Sequence, residues 1–265
     1  MKSEIRELLA DFKAAARIGH PESLQVALDG LRSMPEAASN AAFDESFQSQ
    51  VVFPLGAVLA HPRLRRQDLL ELLGDPLTAV RALAAVALAA RYFEGEGREE
   101  DLRRAGQDSR EEVRDAAGKA LGAYAGRNPA KLFSLVSTWL AEPSHRLRQT
   151  ALLAAPALIA SHAEKLLSLV AGLQEDPDPG VQSALVALLI ALAGAGHAEA
   201  VLALLSDWSG EPDPNAWTIS KVLSASWAAG HARSAVEILE RLEARTGRTR
   251  YVTNALRALE RHSAK

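Results

Sequence analysis

Apolar residues recur along most of this chain at three- and four-residue intervals, the spacing of one helical face, and almost nowhere alternate as a half-buried strand would. Leu166, Leu167, Val170 and Leu173 form one such stripe, and Val201, Leu202, Leu204 and Leu205 the next. Proline and glycine punctuate the transitions, as helix starts and stops require. The pattern predicts helix pairs with first members near 63–73, 98–106, 129–141, 162–174, 197–208 and 231–245. Second members are expected near 77–93, 110–125, 145–160, 179–194, 214–229 and 249–262. Before them the spacing predicts helices at 3–17, 21–34 and 44–60, with a looser stretch from Pro35 to Ala42.

The pairs are copies of one unit. Asp75 to Arg81, Asp108 to Arg114, Glu142 to Arg148 and Asp176 to Gln182 each run from an acid, through an aliphatic five residues on, to a polar residue six on. The aliphatics Val80, Val113, Leu147 and Val181 are 33, 34 and 34 residues apart. Pairing Pro177/Pro179 with Pro212/Pro214 extends the series by 35 residues and places Trp217 at the position of Arg81, Arg114, Arg148 and Gln182; a one-residue shift would bury it instead. A degenerate sixth copy lies near Tyr251–Thr253. His162, His197 and His231 recur at 35 and 34 residues, each ahead of an amphipathic run, with His20 and His61 as looser versions. The second helices are rich in alanine (Ala82, Ala84, Ala85, Ala87, Ala89, Ala90), apolar over most of their circumference, and need cover from both the partner helix and the next repeat.

The 265 residues suffice for a substantial core, and 48% hydrophobic with 24% charged residues excludes a disordered tail. The absence of cysteine removes disulfides, thiolate metal sites and cysteine nucleophiles, and fits a reducing compartment such as the cytoplasm. The opening Met1–Glu7 is charged where a signal peptide would be apolar, and the apolar run Val181–Ala195 is short for a bilayer, so no membrane role is expected. Net charge is −3 but uneven: residues 61–150 hold 15 Lys/Arg and 13 Asp/Glu, residues 151–229 hold 2 and 8, and residues 230–265 hold 8 and 4. An acidic band between two basic ends suits a protein or peptide partner better than a long duplex, which asks for a continuous basic stripe.

The acid-to-arginine spacing of Asp75/Arg81, Asp108/Arg114 and Glu142/Arg148, the Val-Arg or Leu-Arg step and the alanine-rich second helix resemble HEAT repeats of the short bacterial kind over roughly 62–262. The Trp, Gly and Tyr pattern of tetratricopeptide repeats is missing. The resemblance implies an all-α fold: an α-solenoid of about six helix pairs in a right-handed superhelix over 62–265, with 1–61 as an N-terminal helical cap. It also implies that the acids and arginines form a hydrogen-bonded ladder between neighbouring repeats.

Candidate chemistry is sparse. No Gly-rich phosphate loop or Gly-x-Ser-x-Gly turn occurs, and no histidine pair has the spacing of a metal-binding helical face, so neither metal nor cofactor is expected. The His-Glu pairs of di-iron HEAT-repeat hydroxylases are absent. The segment Trp139–Ala151 resembles a repeat of the HEAT-like alkylpurine DNA glycosylases, which would give Trp139, Arg148 and Asp115 catalytic roles. It departs at Gln149, where a second arginine would stand, and Asp115 lacks a tryptophan four residues earlier. Trp139 shares a face with Leu132, Leu135 and Val136, the placement of a core residue, and Trp208 and Trp227 end apolar runs, each with its indole N–H near a loop. The favoured expectation is a monomeric, non-enzymatic scaffold that binds a protein on the inner face of the second helices through Arg81, Arg114, Arg148, Trp217 and Lys221. Duplex DNA is the alternative partner, and end-to-end stacking through incompletely capped termini a third reading.

Overall fold

The computed structural model describes residues 2–38, 44–212, 214–247 and 249–263. Among these no strand occurs, and the chain is all-α, a succession of stacked helical hairpins of the solenoid type. Residues 39–42 of the expected looser stretch lie outside the described residues; Pro35–Ala38 forms a single helical turn (α3). The chain divides into two compact units, 1–132 and 133–265.

In the first unit, α1 (Lys2–Ile18) and α2 (Pro21–Arg32) form a hairpin. The expected helix at 44–60 is α4 (Glu45–Phe47), a wide π turn at Gln48–Val52, and α5 (Phe53–Leu59). Pro54 has no N–H to return to the preceding turn, and the Phe53 N–H bonds the Gln48 carbonyl instead, which widens the helix there. Next come α6 (Arg66–Leu72), α7 (Thr78–Glu94), α8 (Glu99–Gly106) and α9 (Glu111–Tyr124). The central α7 packs against α5, α6, α8 and α9. Its run Ala79 to Ala90 is buried apart from Arg81, so an all-round apolar helix does find cover on every side. Gly95, at φ 88, ends it with the left-handed turn that glycine adopts without strain.

The boundary falls within α10 (Pro129–Leu140), and the second unit continues with α11 (His145–Ala154), α12 (Ile159–Val170), α13 (Pro179–Leu192), α14 (Ala198–Gly210), α15 (Ala216–Leu223), α16 (Ala232–Thr246) and α17 (Arg250–Ser263). Second helices stack as α11, α13, α15 and α17, and first helices as α12, α14 and α16. Two expected helices are shorter than their patterns. At Pro156 the chain passes into a 3₁₀ turn, Ala155–Leu158, and after α15 into another, Ser226–His231. Two helical stretches, His145–Glu175 and Pro179–Gly210, are long and apolar enough to cross a bilayer, more than the fifteen-residue run suggests. Each is broken within the fold, at His162 (φ −141, ψ 24) and at Gly196 (φ 98), and each supplies both members of a hairpin turn. His20, His197 and His231 stand at helix entrances as N-cap residues, but none of their side chains caps a backbone N–H.

At the start of α6, Asp68 accepts from the Arg65 backbone N–H (3.0 Å) and from the Arg65 guanidinium. Those guanidinium bonds hold the Asp68 carboxyl below the ordinary aspartate value, against burial that pulls it upward. A carboxyl depressed in the folded state contributes stability that is present above its unfolded pKa and lost as pH falls through the lowered folded value. Asp68→Asn is therefore expected to cost about 1 kcal/mol, the usual size of a lost helix cap, at neutral pH. Urea midpoints measured from pH 7 down into strong acid should show the difference from the native chain closing; a pH-independent difference would refute this.

Candidate functional site

Three hairpin turns are each held by an aspartate that divides its two oxygens between two tasks. Asp75 Oδ1 accepts from Leu77 N–H (2.8 Å), Asp108 Oδ1 from Arg110 N–H (2.9 Å) and Asp176 Oδ1 from Asp178 N–H (3.0 Å), closing an Asx turn ahead of the second helix. The other oxygen receives an arginine of the preceding repeat. Arg32 donates to Asp75 (2.7 Å), Arg81 Nε to Asp108 (2.9 Å) and Arg148 Nε to Asp176 (2.6 Å). Arginines of this row also staple their own loops: Arg114 bonds the Asp108 and Ser109 carbonyls, and the rung donor Arg148 those of Glu142 and Pro143 at 2.8 Å. Gln182 does so with shorter reach, Nε2 bonding the Leu173 and Asp176 carbonyls while Oε1 accepts from Thr218 Oγ1 at 2.6 Å.

These rungs are mostly buried. Asp176 has 4% of its side chain exposed and Arg148 has 14%, so the pair sits where an unmatched charge is costly. Of the residues the sequence singled out, Arg81, Arg114 and Arg148 thus spend their donors inside the stack. Sequence reasoning missed Arg32, which supplies the first rung from the N-terminal hairpin, since nothing in its local spacing matches the repeat. It also missed a parallel rung between first helices, Arg66 to Asp101 (2.7 Å), and Arg91, whose buried guanidinium bonds the carbonyls of Ala60 (3.1 Å), His61 and Leu64 (both 2.6 Å). Burial pushes the Arg91 pKa below the ordinary guanidinium value.

Trp139 is 1% exposed, a core residue that leaves no ring face for an extruded base. Asp115 accepts from Gln48 Nε2 (2.8 Å) and pairs with Lys119 (2.9 Å) within the first unit. Trp208 Nε1 donates to the Ala171 carbonyl (3.0 Å), whereas the buried Trp139 and Trp227 N–H groups have no partner.

The register of the later repeats differs from the one the prolines suggest. In α13, Val181, Gln182, Ala184 and Leu185 are buried around exposed Ser183; in α15, Ile219, Ser220, Val222 and Leu223 are buried around exposed Lys221. The matching spacing is 38, not 35, because burial phase is set by where the helix meets its neighbours and not by loop prolines. Ser220 therefore holds the ladder position, and Trp217 stands about one turn earlier. Trp217 is half-buried. With Ser220, Lys221, Ser224, Arg250, Tyr251 and Asn254 it lines a cleft of about 320 Å³ between α15 and α17.

Stacked hairpins joined by buried acid–arginine rungs make this a helical-repeat protein. A family model for HEAT repeats matches residues 66–156, which spans α6 to the 3₁₀ turn after α11. Among solved structures, a computationally designed armadillo repeat protein for modular peptide recognition is similar at 17% identity, with a TM-score of 0.34, over 97% of this chain and 98% of that one. A comparison with curated proteins gives no match.

Proposed function

We infer that this chain is a non-enzymatic scaffold that binds a protein partner along the row of its second helices. The observation that carries this reading is the pairing, on α15, of half-buried Trp217 with exposed Lys221 one turn on, beside an open cleft. A partly exposed tryptophan offers a large rigid anchor at small entropic cost, and a nearby lysine adds charge selectivity. Arg81 and Arg114 in the first unit, and Arg148 in the second, act as supports, fixing within each unit the spacing at which the second helices present their side chains. Residues 1–61 serve as the N-terminal cap of the repeats at 62–265, the chain works as a monomer, and its setting is the cytoplasm.

The chain carrying both Trp217→Ala and Lys221→Glu is expected to lose the proteins that the native chain captures from cell lysate after crosslinking, with its helical circular dichroism unchanged. Undiminished capture by the folded double variant would overturn the assignment of this surface.

A further inference from the structure

The ladder stops at α15, and its last position is open. Arg148 meets Asp176 and Gln182 meets Thr218, but the hydroxyl of Ser220, in the same register and 2% exposed, has no hydrogen-bond partner. A serine is several bonds too short to span the gap that an arginine crosses in earlier repeats. The position that should carry the receiving acid, five residues before Val252, is Gly247. What faces the gap instead is a second cation. Arg250 lies over the Tyr251 ring, 4.9 Å from its centroid, and donates to the Tyr251 hydroxyl at 3.1 Å.

The cleft that results is lined by Lys221 and Arg250 and by no carboxylate. Among the described residues neither cation has an acidic partner. Lys221 is also one of only two Lys/Arg in residues 151–229, against eight Asp/Glu, so this positive spot stands in an acidic stretch of sequence. An extended polyanion would meet that acidic stretch on its way along the row, whereas a short segment brings its negative charge to one place.

The geometry points to a binding site for an acidic peptide segment, one of whose side-chain carboxylates takes the place of the missing acid rung between Lys221 and Arg250. Trp217 and Tyr251 flank an adjoining apolar side chain, and the Ser220 hydroxyl and Asn254 amide bond the peptide groups. Charge-assisted bonds from a lysine and an arginine to one carboxylate are stronger than neutral ones, and the partly enclosed cleft limits their screening. This assignment rests on the reading of the second-helix row as a protein-binding surface, and adds the chemistry of what that row accepts.

The test uses the full chain and a short fluorescein-labelled peptide of alternating glutamate and leucine, followed by fluorescence anisotropy. Saturable binding is expected, weakened at least tenfold by Lys221→Glu, by Arg250→Glu and by replacing the peptide's glutamates with glutamine. Ser220→Ala is expected to weaken it severalfold. Lys221 and Arg250 are exposed, so their variants should keep the native melting temperature, which is measured alongside. Absence of saturable binding, or binding indifferent to both charge reversals, would overturn the proposal. So would tighter binding of oligothymidine than of the peptide, which would assign the cleft to single-stranded nucleic acid. If the peptide fails while lysate capture still depends on Trp217 and Lys221, the carboxylate chemistry is wrong and the protein-binding row stands; if both fail, both fall.

Discussion

Replacing Arg148 with alanine is expected to destabilise the second unit by about 3 kcal/mol, because it strands Asp176 as a buried carboxylate without its countercharge. Asp176 keeps its Asx-turn bond to Asp178 N–H, but its second oxygen, which now takes Arg148 Nε at 2.6 Å, would face no donor. The Glu142 and Pro143 carbonyls lose their shared donor in the same step. For a chain of this size that corresponds to a fall in melting temperature on the order of 10 °C. Arg148→Lys should recover only part of it, since an ammonium keeps the charge but cannot serve the acid and two carbonyls with one planar fork. A cycle with Asp176→Ala separates the pair from the packing: a coupling of about 1.5–3 kcal/mol is expected, and a coupling near zero would show that the rung is ornamental.

Arg91→Met should cost as much or more, about 3–4 kcal/mol, although Arg91 belongs to no rung. Its guanidinium is buried and closes the turn after α5 by bonding three carbonyls, of Ala60, His61 and Leu64, of which His61 also accepts from the Leu64 N–H. Methionine fills most of the stem's volume, so the loss reports the missing bonds and not a cavity. Chemical denaturation of the full chain measures it, and a change under 1 kcal/mol would mean that water substitutes for the guanidinium. The desolvation that lowers the Arg91 pKa leaves it charged throughout the neutral range, so this loss should not vary between pH 6 and 8.

Much of the fold was legible because a repeated hairpin states the same physical problem several times. The second helices from Thr78 to Leu192 begin within a residue or so of where the apolar pattern starts, and ahead of three of them Asp75, Asp108 and Asp176 close Asx turns with local bonds. Where local chemistry did not fix the geometry, the reading slipped. The proline pairs 177/179 and 212/214 look equivalent, yet the buried face of α15 is phased from Ile219, 38 residues after Val181 and not 35. That moved the ladder position from Trp217 to Ser220, a residue with no signal of its own in the sequence.

The amino-acid sequence by itself determined that this chain is all helical, that its helices come in pairs, and that each second helix must be covered by neighbours. Those properties follow from the spacing of apolar side chains along a single helix. Only the tertiary structure decided which residue faces which across two helices: that Arg32 joins the ladder, that Arg91 closes α5, and that Ser220 leaves a gap lined by Lys221 and Arg250. Periodicity tells which side of a helix is hidden from water, but what it meets there depends on loop lengths and helix phase, which are fixed when the hairpins pack.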